Sequence, residues 1–275
     1  MNNKLSYNQN TIKIEENDLG VLYYELGTGV EGTVYKYSDN KVIKVLNREE
    51  VSIDTIIYRV NYFINIKVKN VVFPEDLVYN SKNEVIGYSM KLIIPNEYKS
   101  FFNLYECKDN KKFINYFERI QETMKELHKK NIFIGDFNPN NIMIDNDNNP
   151  VFIDTINYAT PEFSFLLEPY NSMIYEKVFK RKCSLLDNDK FMFAFLLLSF
   201  FVSFNDLEKA IKNPDYFKKI INDLDISSLS KSTLNKIFSQ NDEKEYIDIV
   251  LNDLRKSKQT KYDNKFGKII QIIFN

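Results

Sequence analysis

The chain has 275 residues, 44% hydrophobic and 27% charged, the balance of an ordinary globular protein with enough apolar material for a core that needs neither disulfides nor a structural metal. Its 37 Lys and Arg against 38 Asp and Glu leave a net charge of −1, which speaks against a dedicated nucleic-acid binder. Two cysteines far apart, Cys107 and Cys183, and one histidine offer no Cys/His zinc set.

Free thiols fit a reducing compartment. Residues 1–20 are polar and lack the apolar centre of a signal peptide. The longest apolar run, 191–204, is broken only by Ser199 and Ser203. It is too short to span a bilayer and reads as a buried helix. A cytoplasmic location without a membrane partner is expected. The abundance of Asn, Lys and Ile resembles the codon usage of an AT-rich, bacterial genome.

In chain order, the first third reads as strands at 21–25, 33–37 and 41–46, short and rich in β-branched and aromatic residues. A helix is expected over 52–64, then strands over 71–79 and 85–94 joined by the turn Asn80-Ser81-Lys82-Asn83. After Pro95 the pattern becomes helical: Phe113, Phe117, Ile120, Met124 and Leu127 recur at spacings of three and four. Two short apolar stretches follow between 132 and 154. From Asp187 onward the chain reads as helices, with starts at Pro214-Asp215, Ser228 and the pair Asp242 and Glu245. No internal repeat is present. The natural boundary falls near 94, giving a sheet-rich part, 1–94, and a helical part, 95–275, of one domain.

Gly27-Thr28-Gly29-Val30-Glu31-Gly32 is a G-x-G-x-x-G. A dinucleotide-binding loop would lead into a helix, and a Walker A loop would end in Lys then Ser or Thr. Here Thr33-Val34 opens a strand instead. Strand, glycine loop, strand, with Val34 two residues past Gly32, is the arrangement that covers ATP phosphates in protein kinases; an ordinary hairpin is the plain alternative. Lys44, in Val42-Ile43-Lys44, shares a strand face with Val42 by the period of two. Most lysines face solvent, so only its spacing to the other motifs makes it a phosphate ligand.

Ile134-Gly135-Asp136-Phe137-Asn138-Pro139-Asn140-Asn141 matches the spacing of H-R-D-L-x-x-x-N, and Phe152-Ile153-Asp154 stands where D-F-G is expected. In phosphoryl transfer these residues divide the work: Asp136 orients the acceptor hydroxyl, while Asn141 and Asp154 hold Mg2+ against the phosphates of ATP. Each alone is also a common turn residue. Their order along one chain favours the catalytic reading.

Together these segments resemble the protein-kinase-like superfamily from Gly27 to about Leu198. Within it, Gly135-Asp136-Phe137-Asn138, Asp154-Thr155 and Thr160-Pro161-Glu162-Phe163 look most like bacterial kinase-like proteins with G-D-L-N-x-x-N and I-D-T motifs. The resemblance implies an α+β, bilobal fold with a small antiparallel-sheet N-lobe and a mainly helical C-lobe. It implies that Gly27, Gly29, Gly32, Val34, Val42, Lys44, Met90 and Met143 surround the nucleotide, and that Asp136, Lys44 and Asn138 are catalytic. Asp189 would brace the catalytic loop, and His128 would be structural. The acid paired with Lys44 is Asp54 by preference, with Glu49 and Glu50 as poorer candidates.

Three departures stand out. Gly135 replaces the arginine before the aspartate, Thr155-Ile156 replaces Phe-Gly, and Asn138 replaces the lysine of serine/threonine kinases. The expected activity is an ATP- and Mg-dependent phosphotransferase, a serine/threonine protein kinase with a short activation segment. A small-molecule kinase on the same architecture is the alternative, and a nucleotide-binding pseudokinase a third. The acceptor, protein or small molecule, is not specified by these motifs. Residues 205–275 carry none of them.

Overall fold

The computed structural model describes residues 12–166, 175–176, 178–179, 182, 184–238, 246–257 and 261. The architecture is α+β and divides into two compact units. The first comprises Met1–Lys67, Val71–Ile94 and Ile153–Ile156; the second comprises Val68–Asn70, Pro95–Phe152 and Asn157–Asn275.

The first unit is built on β1 (Ile12–Lys13), β2 (Glu25–Gly29), β3 (Gly32–Lys36), β4 (Lys41–Leu46), β5 (Asp76–Tyr79) and β6 (Val85–Lys91), with α1 (Ile53–Phe63). The strands form one sheet in the order β1-β5-β6-β4-β3-β2. The expected antiparallel sheet is in fact mixed, because β1 joins the far edge parallel to β5, pairing Ile12 with Val78. Four expected strands change their limits: 33–37 lies at Gly32–Lys36 and 85–94 ends at Lys91, and two shift further. The 21–25 strand begins only at Glu25, after a turn at Val21 and Leu22, and so runs through the first two glycines. The 71–79 strand is confined to Asp76–Tyr79, behind Pro74, which has no N–H to give to a ladder.

The alternation of β4 separates two environments. Ile43 and Val45 turn to one face and pack with Ile12, Ile14, Val78 and Ile86 as an apolar cluster. Val42 and Lys44 turn to the other, opposite Met90 and Tyr88 of β6. Helix α1 packs on β5 and β6 and buries Ile56, Arg59, Val60 and Phe63.

The second unit contains β7 (Pro95–Ser100), α2 (Asn110–Lys129), β8 (Ile142–Asp145), β9 (Pro150–Phe152), α3 (Leu185–Phe201), α4 (Phe204–Lys212), α5 (Asp215–Asp223), α6 (Ser228–Ile237) and α7 (Asp248–Lys256). Strands β7, β8 and β9 form a second small sheet. Helix α2 begins where Asp109 accepts from the N–H groups of Lys111 and Lys112, a side-chain cap. Helix α3 is the apolar run of the sequence, buried on every side from Asn188 to Phe201. Its Phe193 and Phe200 meet Phe117 of α2, at ring separations of 5.8 Å each. Full burial of such a ring contributes about 1.5–3 kcal/mol. The expected helix starts at Pro214-Asp215 and Ser228 are those of α5 and α6, whereas the Asp242 and Glu245 pair lies outside the described residues. Helix α7 docks along α2: Gln121 donates to Asp248 at 2.7 Å and accepts from the Ile247 N–H at 2.9 Å. Among the described residues no helix is long and apolar enough to cross a membrane.

Candidate functional site

In the first unit the glycine segment forms a tight hairpin. Gly27 pairs with Val34, Thr28 with Thr33 and Gly29 with Gly32, leaving Val30 and Glu31 as a two-residue turn. The glycines differ in why the fold accepts them. A side chain at Gly32 would run into the Val45 carbonyl, so the close approach of β3 to β4 requires glycine there. A Cβ at Gly27 or Gly29 would meet nothing within 4 Å. Packing therefore imposes no glycine at either position.

Val34, Lys44 and Tyr88 form one cross-strand row, and Val42 and Met90, both buried, form the next. Lys44 is 5% exposed, and its ammonium donates to Glu31 Oε2 at 2.6 Å and to Asp154 Oδ1 at 2.6 Å. Burial alone would push its pKa down. Tyr88, Asp154 and Glu31 outweigh that, and the lysine is held protonated, above its ordinary range. Glu31 moves the other way from a usual ion-paired acid. Burial raises its pKa more than Lys44 lowers it, and Asp154 adds repulsion. The two directions are compatible, because one ammonium shared by two carboxylates compensates neither in full. The Tyr88 phenol is also raised, by burial first. Its hydroxyl is buried without a protein partner of hydrogen-bonding geometry.

The sequence pointed to Asp54, Glu49 or Glu50 as the partner of Lys44; the structure corrects this to Glu31 and Asp154. All three expected acids are exposed. The inward position of α1 carries Arg59 instead, 2% exposed, with its pKa pushed down to about 10 by burial against the pull of Glu31. Arg59 Nη1 donates to the Ile156 carbonyl at 2.9 Å, and Thr155 Oγ1 donates to the Val72 carbonyl at 2.8 Å. These bonds fix the segment that presents Asp154, whose φ of 57° is left-handed. Such a backbone costs a non-glycine residue about 1–3 kcal/mol and concentrates at functional sites.

Lys44→Met is expected to destabilise the protein by about 3 kcal/mol at neutral pH, because it strands the buried Glu31 carboxylate. A raised folded pKa makes the ionised acid a burden that grows with pH above the unfolded value. The deficit is therefore expected to shrink as pH falls toward about 4.3. Urea unfolding of both proteins at several pH values checks this, and a pH-independent deficit would show that Glu31 is not the stranded group.

In the second unit Asp136 follows Gly135, whose φ is 67°. The Asn141 side-chain amide donates to Asp136 Oδ2 at 3.0 Å. The Asn138 Oδ1 accepts from the Asn140 N–H at 3.0 Å and caps the short turn Pro139–Asn141. Met143 lies on β8 opposite Val151. The loop is held from below by Asp189, fully buried, which accepts from the N–H groups of Ile134 at 2.8 Å and Gly135 at 2.7 Å. His128 donates from Nε2 to the same carboxylate at 2.9 Å and accepts the Tyr246 hydroxyl at Nδ1, at 3.0 Å. These three hydrogen bonds compensate the buried charge. Phe137 anchors the other side of the loop against Phe152 and Phe193, both at 6.2 Å.

Gly135→Ala should cost about 1–3 kcal/mol. Besides the left-handed φ, the Phe165 ring occupies the place of the new methyl group. A lowered urea midpoint is the expected result, and an unchanged one would mean that the loop tolerates a side chain there.

Among the described residues no three His, Cys, Asp or Glu side chains gather as a metal-binding cluster. The first unit thus brings together a glycine hairpin, a buried lysine and a partly exposed carboxylate. The second brings together an aspartate and an asparagine on a braced loop. No protein-family model matches the chain, and a search of curated proteins returns no match.

Proposed function

We propose that this chain is an ATP- and magnesium-dependent phosphotransferase with a protein-kinase-like fold, transferring the γ-phosphoryl group to a hydroxyl acceptor. The observation that carries the reading is the ion pair of Lys44 with Asp154, residues 110 positions apart in sequence. These are the two groups that the motif spacing assigned to phosphates and metal. Gly27 and Gly29 add support: glycines that packing does not require leave a bare hairpin face that phosphates can approach.

Asp154 would hold the magnesium. Its carboxylate oxygens suit a hard cation, which completes its shell with water and phosphate rather than with a protein cage. When bound, the metal neutralises charge on the phosphates. Lys44 supplies a fixed cation to the same phosphates, and the apolar Val42 and Met90 side chains suit an adenine. Asp136 accepts the hydrogen bond of the acceptor hydroxyl and orients it.

A protein serine or threonine is the favoured acceptor. The capped side chain of Asn138, where protein kinases carry a lysine free to reach the phosphate, favours a small-molecule acceptor as the second reading. Transfer from [γ-32P]ATP to generic protein, beside a panel of small hydroxyl compounds, decides between them. Label on neither, with ATP bound but not consumed, would support a pseudokinase instead.

This enzyme is expected to need no phosphorylation of its own. Gly135 leaves no cation before Asp136 for a phosphate to neutralise. Only Thr155, Tyr158 and Thr160 carry hydroxyls between Asp154 and Glu162, and all three are buried. Protein co-expressed with a phosphatase, and shown by mass spectrometry to be unmodified, is expected to retain full turnover. Activity that returns only on phosphorylation of Tyr158 or Thr160 would contradict this.

A further inference from the structure

We infer that Glu31, at the turn of the glycine hairpin, is the residue that holds Lys44 in position for nucleotide phosphates, so that the hairpin and not α1 sets the lysine. The inference rests on the phosphotransferase reading above and assigns a positioning residue to that site.

Three observations lead there. First, α1 has no acid to offer: its buried stripe is Ile56, Arg59, Val60 and Phe63, and Asp54 is exposed. Two buried cations, Lys44 and Arg59, therefore require an anion from elsewhere. Glu31 is attracted to both. Second, the turn carrying Glu31 is fixed by its main chain. The Asn47 N–H donates to the Glu31 carbonyl at 2.8 Å, and Gly32 sits against the Val45 carbonyl with no room for a Cβ.

Third, the two carboxylates on Lys44 are unequal. The Glu31 side chain is 10% exposed and that of Asp154 is 37% exposed. A lysine has three N–H donors. On that reading Asp154, the more exposed, would be the partner that exchanges when phosphates bind, while Glu31 would stay. The consequence is mechanical. The lysine is ordered by the same hairpin whose bare glycine face receives the phosphates.

The test uses the full chain without nucleotide first. Lysines are acylated with a soluble amine reagent and quantified by mass spectrometry. Glu31→Gln is expected to speed labelling of Lys44 relative to Lys36, because a buried ammonium released from one of its two carboxylates opens to the reagent more often. With Mg-ATP its turnover is expected to fall by about tenfold or more. Asp54→Asn is expected to change neither quantity by as much as about twofold. Should Glu31→Gln fail to fold, Glu31→Asp keeps the charge, withdraws it by one methylene, and is expected to change labelling and turnover in the same directions. Wild-type protein that binds Mg-ATP, with Lys44 labelling and turnover unchanged in the folded Glu31 variant, overturns the inference alone. So does a loss of turnover in Asp54→Asn. Wild-type protein that binds no Mg-ATP counts instead against the reading on which the inference rests.

Discussion

Asp154→Ala is expected to lower phosphoryl-transfer turnover by about a hundredfold to a thousandfold, the range for removing one group that stabilises charge in the transition state. The variant should nonetheless fold. Lys44 keeps Glu31 as a counter-ion at 2.6 Å. The segment around position 154 keeps the bonds from Thr155 to the Val72 carbonyl and from Arg59 to the Ile156 carbonyl. What disappears is the one carboxylate of the lysine cluster that is open enough to meet a metal. The measurement is initial rate at saturating ATP over a magnesium titration, beside a urea unfolding curve. Turnover like that of wild type would remove Asp154 from the metal site. Lost turnover with a collapsed unfolding curve would leave its role structural.

Asp136→Asn is expected to reduce turnover by about 10²–10⁴-fold, the contribution of a positioned general base, with little change in ATP affinity. The argument is again local. Asparagine is isosteric, and its carbonyl oxygen can still accept from the Asn141 amide, now at 3.0 Å from Oδ2. The loop around it is held by Asp189 and by Phe137, neither of which is touched. Only the negative charge offered to an acceptor hydroxyl is lost. Calorimetric ATP affinity and steady-state turnover, measured on one preparation, separate the effects. An affinity that falls in step with turnover would make Asp136 a metal or structural residue.

The regular elements were largely legible in the sequence. The three-and-four spacing of Phe113, Phe117, Ile120 and Met124 gave α2, and the apolar run broken only at Ser199 and Ser203 gave most of α3. Lys41–Leu46 was found to the residue, because alternation and flanking turns agree there. Strand β1 was missed: two residues carry no periodicity, and their pairing with β5 is a tertiary choice.

Spacing singled out Lys44 and Asp154, which form an ion pair in the first unit, and Asp136 and Asn141, which form a hydrogen bond in the second. The site was illegible where the motif is silent. Glu31 fills an unspecified position of G-x-G-x-x-G, so nothing in the pattern marks it as buried. The preference for Asp54 rested on its place in the first turn of the helix. The signal against it was present: with Ile56, Val60 and Phe63 as the apolar stripe, position 59 turns inward and position 54 does not. An arginine on that stripe was the sign that the anion comes from another element. Tyr88 was missed for a different reason. A tyrosine in a strand packs well, and only the cross-strand register shows that it stands opposite Lys44.

The claim that Lys44 and Asp154 serve a magnesium-bound nucleotide is tested most directly by titrating ATP into the full chain by calorimetry, once with magnesium and once with EDTA. The account predicts saturable binding at one site with magnesium, weaker by about tenfold or more in EDTA, a difference of 1.4 kcal/mol. It further predicts that Asp154→Asn abolishes the difference. Binding that is indifferent to magnesium in the wild type, or no binding under either condition, would contradict it.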